Sequence, residues 1–266
     1  MTCHAYVKGN FMEPWINHVK DVLRIFDDCF MDIVPILSSR LGVSETDAVT
    51  IAKLSVAFHD LGKTLNAYQL NCTKIHCSES NYYGHEVVGA FMLDKLISTL
   101  IDAQCIKDSG ISKYRYLIIL SVMMHHHAMR DLSNWWIRRV NMVNLLDKLN
   151  EWMNTLNISE LRICDDCIND IASILESILG GQCSNLSKVV EDFAEELTWN
   201  KPMDLIRDLI NWFMSNKDYL VYRKDQLLIL GPLIVSDNEA ANRDRVSKSR
   251  RSLISHELSL KCNANK

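Results

Sequence analysis

The stretch SETDAVTIAKLSVAFHDLGK, residues 44–63, decides the fold because it joins an apolar helix to a polar end that contains a glycine. Ser44, with an Asp three residues later, is typical of a helix N-terminus, although the Glu or Gln of a full capping box is missing. The apolar spacing predicts a helix that runs to about Asp60 and stops at Gly62. Adjacent helical residues point about 100° apart, so His59 and Asp60 can reach one site only at this helix end.

Helical periodicity continues on both sides of this stretch and predicts an all-α fold. The expected elements are helices over Glu13–Arg40 (ending before Gly42), Gly84–Gln104, Ser112–Met129 (capped by Ser112), Asn134–Leu156, Ser159–Leu179, Leu186–Thr198 and Pro202–Met214, with a loop over Asn66–Tyr83. The segment Leu227–Val235 fits either a buried helix interrupted by Gly231-Pro232 or a short strand followed by a helix. We therefore predict one all-α domain over residues 1–246 and a polar tail over 247–266.

The composition is that of a soluble globular protein, with 48% apolar and 23% charged residues among 266. Only 9 Gly and 4 Pro leave few helix breakers, which favours long helices. The longest nearly continuous apolar run, Leu227–Val235, is far shorter than the roughly 20 residues of a membrane-spanning helix, so no membrane partner is expected. The first ten residues have no apolar stretch typical of a signal peptide, so we expect a cytoplasmic protein.

Charge and cysteine content bear on the partners of the chain. The formal net charge is −4, but the segment Asn242–Arg251 has five cations and one anion. Nine cysteines without a secretion signal are expected to be reduced thiols that behave as small buried apolar residues. Cys164 and Cys167 form a CxxC pair, but a zinc ribbon needs two such pairs, so no metal role is expected there.

Histidines recur at the ends of apolar segments, where packing does not explain them. His125-His126-His127 close the apolar run Leu117–Met124. A buried polar group without a partner costs roughly 1–3 kcal/mol, and metal coordination would remove that cost for the imidazoles. His85 opens the helix after the loop, and His18 lies one helix before residues 44–63. Asp237, at the end of an apolar run, is either a ligand or a helix cap.

Taken in order, these side chains resemble the pattern of the HD phosphohydrolase superfamily and, more narrowly, of the HD nuclease associated with type I CRISPR systems. The resemblance spans about Asn17 to Asp237. It rests on an HDxGK form, a Gly-His-Glu element and a double histidine before a late Asp: His59, Asp60, Gly62, Lys63, Gly84, His85, Glu86, His125, His126 and Asp237. His126-His127 is the alternative register of the double histidine; His125-His126 is preferred because two methionines directly precede it.

The resemblance implies a helical HD-domain bundle that binds two divalent ions, with manganese, magnesium, nickel, cobalt and iron as candidates. It implies the following ligands: His18, His59, Asp60 and Asp237 for one ion, and Asp60, as a bridge, with His85, His125 and His126 for the other. It also implies cleavage of single-stranded DNA, including the strand displaced in an R-loop after guide-RNA recognition. The chain contains no GxxxxGK[ST] loop, so the expected partners are a separate helicase subunit and a guide-RNA effector complex.

Two ions would activate water and stabilise the attacking and leaving oxygens of a phosphodiester. Lys63 is predicted to offset charge on the phosphate, with an exposed, solvated lysine as the alternative. The segment Asn134–Arg139 interleaves tryptophans with arginines and fits either base stacking or core packing. Nucleic-acid contact is predicted for four arginines: Arg138, Arg139, Arg243 and Arg245. For the last two, helicase contact or an ordinary solvated tail is the alternative.

Two other classes of function remain open from the sequence. An HD phosphohydrolase that acts on a small nucleotide would share the metal cluster, but it would need a closed pocket with polar groups for the base and ribose. A non-catalytic scaffold that docks a helicase or effector complex would keep the fold, but the intact ligand set argues against it. Substitution of Asp60 by alanine would separate the scaffold from the enzyme.

Overall fold

Helices dominate the chain in the computed structural model, which describes residues 3–8, 11–69, 84–130, 160–197 and 219–245. The all-α class predicted from the sequence is confirmed. The helices are α1 Trp15–Phe30, α2 Val34–Leu41, α3 Glu45–Ala57, α4 Asn66–Gln69, α5 His85–Asp102, α6 Asp108–Arg130, α7 Asp165–Leu179, α8 Leu186–Glu196 and α9 Tyr219–Arg245. Short 3-10 segments follow α1 at Met31–Ile33 and α3 at Leu61–Thr64. An antiparallel hairpin of β1 (His4–Lys8) and β2 (Phe11–Pro14) precedes α1 and was not predicted.

The segment predicted as one helix from Glu13 to Arg40 is two helices, because Pro35 lies in the first turn of α2. Proline lacks an N–H and crowds the carbonyl four residues earlier, which favours a break at this point. The predicted end of the segment is confirmed, since Gly42 adopts a left-handed conformation with φ of 65°. The predicted start of α3 is also confirmed: the Asp47 N–H donates to the Ser44 hydroxyl at 3.1 Å.

Two later helix starts were predicted wrongly. Helix α6 begins at Asp108, so Ser112 lies inside it and does not cap it. Helix α7 begins at Asp165 and not at Ser159, because residues 160–164 pair with the backbone that follows the Leu61–Thr64 segment. Such long-range pairing leaves no trace in local periodicity. The predicted helices Asn134–Leu156 and Pro202–Met214 and the predicted tail lie outside the described residues.

Helix α9 resolves the ambiguity of Leu227–Val235. The segment is helical, without the interruption predicted at Gly231-Pro232. Proline inside a helix costs about 3 kcal/mol. Burial of Ile229 and Leu233 where α9 packs on α1 and α6 offsets this cost.

The helices that carry the predicted ligands share one core. Helix α6 packs against α3, α5 and α9, and α1 packs against α3, α7 and α9. Large side chains such as Trp15, Phe26 and Phe58 are fully buried in this core. Among the described helices, none has the length and apolar character needed to cross a membrane.

The prediction of reduced thiols is wrong for at least four cysteines. Cys3 forms a disulfide with Cys167, and Cys105 forms one with Cys183. The Cα atoms of these pairs lie 5.2 and 4.6 Å apart, although 164 and 78 residues separate them along the chain. The sequence does not reveal such proximity. The Cys3–Cys167 bond ties the hairpin to α7, and one member of the CxxC pair is thereby used.

Candidate metal centre

Five segments of the bundle bring the predicted metal ligands together in one cluster. His18 comes from α1, and His59 and Asp60 come from the turn after α3. The other ligands are His85 at the start of α5, His125 and His126 in α6, and Asp237 in α9. All except His126 are buried, and His126 is mostly buried. The side chain of His127 lies outside the described part of the chain, so the alternative register of the double histidine stays untested.

The turn after α3 is fixed from several sides. The chain leaves the helix at Phe58, so His59 and Asp60 project from a turn and reach the same site. The indole N–H of Trp15 donates to the Asp60 carbonyl at 3.2 Å. A Cβ at Gly62 would lie 2.1 Å from the carbonyl oxygen of His85, so the backbones of this turn and of α5 touch. This contact sets the separation of Asp60 from His85.

Short distances connect the clustered side chains. His85 Nε2 lies 3.0 Å from Asp60 Oδ1 and 3.1 Å from His126 Nε2. On the other side, His18 Nε2 lies 3.2 Å from Asp237 Oδ1 and 3.7 Å from Asp60 Oδ2. Asp60 therefore lies between two sets of imidazoles.

The cluster has two halves that share Asp60. The carboxylate half consists of His18, His59, Asp60 and Asp237, and the imidazole half consists of Asp60, His85, His125 and His126. Three groups of side chains offer ligand atoms within 4.8 Å of one another: Asp60 with His85, His125 and His126; His18 with His59 and Asp60; and His59 with His125 and Asp237. The first group coincides with the imidazole half, and the third joins the two halves.

The hydrogen bonds of the imidazoles show that the cluster fits a metal. His59 Nδ1–H donates to the Val56 carbonyl at 2.8 Å, and His125 Nδ1–H donates to the Val122 carbonyl. His18 Nδ1–H donates to Glu13 Oε1 at 3.0 Å. The opposite Nε2 atoms of these three rings, and Asp60 Oδ1, are buried and make no well-aligned hydrogen bond, although His18 Nε2 lies 3.2 Å from Asp237 Oδ1 and Asp60 Oδ1 lies 3.0 Å from His85 Nε2. Buried polar atoms are normally paired, and a metal-binding imidazole normally donates its other N–H in this manner.

In the carboxylate half, the pKa values of both imidazoles are raised. Burial alone would lower the pKa of His59, but Asp60 and Asp237 beside it raise that pKa to about 10. Burial likewise opposes protonation of His18, but Asp237 and Glu13 leave its pKa raised. Burial would raise the pKa of Asp60, but Lys63 and His59 hold it well below its usual range.

In the imidazole half the shifts have the opposite sign. Burial and the neighbouring His85 lower the pKa of His126 to about 4. Burial, His126 and His59 hold the pKa of His125 well below its usual value. Both rings are therefore neutral at pH 7 and can donate nitrogen lone pairs to a cation without first losing a proton.

Lys63 is buried, and its Nζ lies 2.6 Å from Asp60 Oδ2, so it is not the exposed, solvated lysine of the alternative interpretation. The arginines predicted to contact nucleic acid are not tested: Arg138 and Arg139, and the side chains of Arg243 and Arg245 at the end of α9, lie outside the described residues.

Glu13 and Gly89 contribute to the site and were not predicted. Glu13 accepts a hydrogen bond from the Nδ1–H of His18. A Cβ at Gly89 would lie 2.9 Å from the Gly62 nitrogen, so this glycine allows α5 to approach the turn. A local hint existed for each, since an acidic residue precedes His18 by five positions and a glycine follows His85 by four. Neither spacing is informative until the helix packing is known.

A helical bundle whose helices enclose a buried His–Asp cluster defines the HD-domain class. The family described as Cas3, HD domain, matches residues 5–177, and the chain belongs to this family of HD nuclease domains from type I CRISPR systems. The resemblance predicted from the sequence is thus confirmed. The match includes the predicted ligands up to His126, while Asp237 lies beyond it. No curated protein matches the chain.

Proposed function

We propose that this chain is a metal-dependent nuclease that hydrolyses phosphodiester bonds of single-stranded DNA in the cytoplasm. Its substrate includes the strand displaced when a guide RNA pairs with its target. Base pairing supplies the sequence choice in such systems, so the nuclease itself needs no base-specific contacts. A separate helicase subunit and a guide-RNA effector complex deliver the strand.

The observation that carries this proposal is the set of buried, converging ligand atoms that make no well-aligned hydrogen bond. Three imidazole nitrogens and one carboxylate oxygen, from His18, His59, His125 and Asp60, converge within one cluster. A buried polar atom without a well-aligned hydrogen bond costs up to roughly 1–3 kcal/mol, and less where a charged group lies close, as Asp237 does to His18. Divalent metal ions offset this cost, and imidazole together with carboxylate suits manganese, iron, cobalt and nickel, while magnesium favours the carboxylates.

In the proposed assignment each half of the cluster would hold one ion, and Asp60 would serve both. The carboxylate half supplies two imidazoles and two carboxylates, and the imidazole half supplies three imidazoles and the shared carboxylate. Held by these residues, two ions would supply an activated water and charge stabilisation for the attacking and leaving oxygens of a phosphodiester. The Nδ1 hydrogen bonds of His18, His59 and His125 keep their rings oriented while substrate binds.

Lys63 has two roles in this proposal. Its ammonium lies 2.6 Å from Asp60 Oδ2, which favours the ionised carboxylate that a ligand serving two ions would need. The same positive charge, in a site largely excluded from water, favours an anionic phosphodiester and the additional charge of its transition state.

Cleavage of labelled single-stranded DNA tests the proposal. Metal-stripped chain is supplied in turn with magnesium, manganese, cobalt and nickel, and nucleoside triphosphates are tested in parallel. We expect metal-dependent DNA cleavage that is lost in Asp60→Ala. Asp102→Ala is the matched control, because Asp102 is an exposed aspartate at the end of α5 and its loss leaves the cluster intact.

Nucleotide hydrolysis without DNA cleavage would replace the proposal with a small-molecule phosphohydrolase. Absence of both activities, also with a helicase partner and an R-loop substrate present, would indicate a scaffold. Equal activity in Asp60→Ala and Asp102→Ala would mean that cleavage does not depend on this cluster.

A further inference from the structure

Strand β2 exposes two apolar side chains and buries an acidic one, which is the reverse of the usual pattern. Phe11 and Met12 are 39% and 51% exposed, while Glu13 between them and α1 is 2% exposed. Burial of a carboxylate costs several kcal/mol unless it is paired, so a partner must compensate. A local violation of the apolar pattern with a buried partner is typical of a functional site.

His18 is a partner of Glu13 inside the cluster. Glu13 Oε1 accepts the Nδ1 proton of His18 at 3.0 Å, and both side chains are almost completely buried. The opposite nitrogen of the same ring, Nε2, points towards Asp237 and Asp60. Glu13 belongs to none of the groups of potential ligand atoms found among the described residues, so it lies behind the ring and outside the ligand set.

The strand that holds Glu13 is anchored on both sides. Glu13 is paired with Tyr6 of β1, and the N–H of Trp15 donates to the Cys3 carbonyl at 2.8 Å. Cys3 is bonded to Cys167 of α7. The Gln69 side chain donates to the carbonyls of His4, at 2.9 Å, and Lys63, at 2.6 Å, which joins β1 to the turn after Asp60. The carboxylate therefore has a fixed position relative to the cluster.

We propose that Glu13 is a positioning residue for the carboxylate half of the metal site. It holds His18 with the proton on Nδ1, so that the lone pair of Nε2 faces Asp237 and Asp60, and its negative charge strengthens the imidazole as a donor. His59 and His125 obtain the same orientation from backbone carbonyls, which no substitution removes. Of these three hydrogen bonds, the one to Glu13 is therefore the one that a substitution of the acceptor can remove. The inference rests on the proposed function.

Co²⁺ binding in a double-mutant cycle tests this role without relying on nuclease activity. His126→Ala removes a ligand of the imidazole half and leaves the carboxylate half as the tight site. His18→Ala removes a ligand of the carboxylate half and leaves the imidazole half as the tight site. Glu13→Ala and Glu13→Gln are introduced into both backgrounds. Each variant is metal-stripped and titrated with Co²⁺ by calorimetry and visible absorption, with thermal unfolding as a check on the fold.

In the His126→Ala background we expect Glu13→Ala to weaken Co²⁺ binding by roughly 10- to 100-fold, the usual effect of losing such a partner. Glu13→Gln keeps an oxygen that accepts the Nδ1 proton, so we expect a smaller loss. In the His18→Ala background neither change should alter the Co²⁺ affinity by more than about twofold, because the ring on which Glu13 acts is gone.

Equal losses in both backgrounds would overturn the proposal, since Glu13 would then act through the fold or the general field. Unchanged binding in the His126→Ala background would overturn it too. If Glu13→Ala does not fold, the decision rests on Glu13→Gln, which must lose affinity in the His126→Ala background alone. An unmodified chain that binds no Co²⁺ would instead contradict the proposed function, and this inference with it.

Discussion

The pKa values of His59 and His126, one from each half of the cluster, are shifted in opposite directions. In the carboxylate half, Asp60 and Asp237 raise the pKa of His59 to about 10, so a proton takes the place of a cation when no metal is bound. In the imidazole half, burial and the neighbouring His85 lower the pKa of His126 to about 4, so that ring stays neutral. The carboxylate half must exchange protons for a metal ion, whereas His125 and His126 already present neutral nitrogens.

This difference gives Asp60 the central position. It is the member common to both halves, and Lys63 and the surrounding imidazoles hold its pKa well below the usual range.

Loss of the shared carboxylate should exceed loss of an unshared one. For Asp60→Asn we expect DNA cleavage to fall on the order of 10³-fold or more, because both ions lose a ligand that supplies several kcal/mol of stabilisation. Asp237→Asn should cause a smaller loss. Single-turnover cleavage rates at saturating manganese measure both. Similar rates for the two variants would show that the halves do not share Asp60.

Gly62→Ala should push the turn that carries His59 and Asp60 away from His85 at the start of α5. A Cβ there would lie 2.1 Å from the His85 carbonyl oxygen, so the turn after α3 must move away from α5. We expect a loss of about 3 kcal/mol in the free energy of unfolding, at the upper end for overpacking. Gly231→Ala is the control, since its Cβ meets nothing within 4 Å and should not destabilise the chain. Equal urea-denaturation midpoints would contradict the close approach.

Acid should destabilise the metal-free chain through the imidazole half. The pKa of His126 is about 4 in the folded chain and near 6.5 when unfolded. Between these values the unfolded chain binds a proton that the folded chain excludes, so stability falls as pH drops from 6.5 to 4. The loss from this residue reaches about 3 kcal/mol.

The lowered pKa values of Asp60 and Asp237 place their own losses below this pH window. Urea denaturation of metal-stripped chain at pH 6.5, 5.5 and 4.5 measures the effect. In His126→Gln the slope of stability against pH should be reduced. A slope that is the same in both proteins would show that His126 does not resist protonation.

The carboxylate half should release protons when it binds metal. At pH 7 to 8 the proton on His59 must leave, so affinity should rise about tenfold per pH unit for each proton displaced. Calorimetry of the His126→Ala variant in two buffers of different ionisation enthalpy counts these protons, and we expect at least one per ion. A count of zero would contradict the raised pKa of His59.

The parts of the site that local sequence determines could be predicted. Ser44 and the apolar spacing after it define α3, and the helix end then places His59 and Asp60 together. The double histidine is likewise visible as a break in an apolar run. These features depend on residues a few positions apart, for which helical periodicity is informative.

The parts that depend on packing could not be predicted. Glu13 acquires a role because the hairpin folds back on α1, and Gly89 acquires one because α5 touches the turn at Gly62. The Cys3–Cys167 bond joins residues 164 positions apart. Periodicity describes which face of a segment is apolar, but it does not say which segment covers that face.

The most direct test of the two-half cluster is the number of metal ions bound per chain. After equilibrium dialysis against Co²⁺ and elemental analysis, we predict about two ions in the unmodified chain and about one in each of His18→Ala and His126→Ala. Equal counts in all three proteins, or no bound metal in the unmodified chain, would contradict the account.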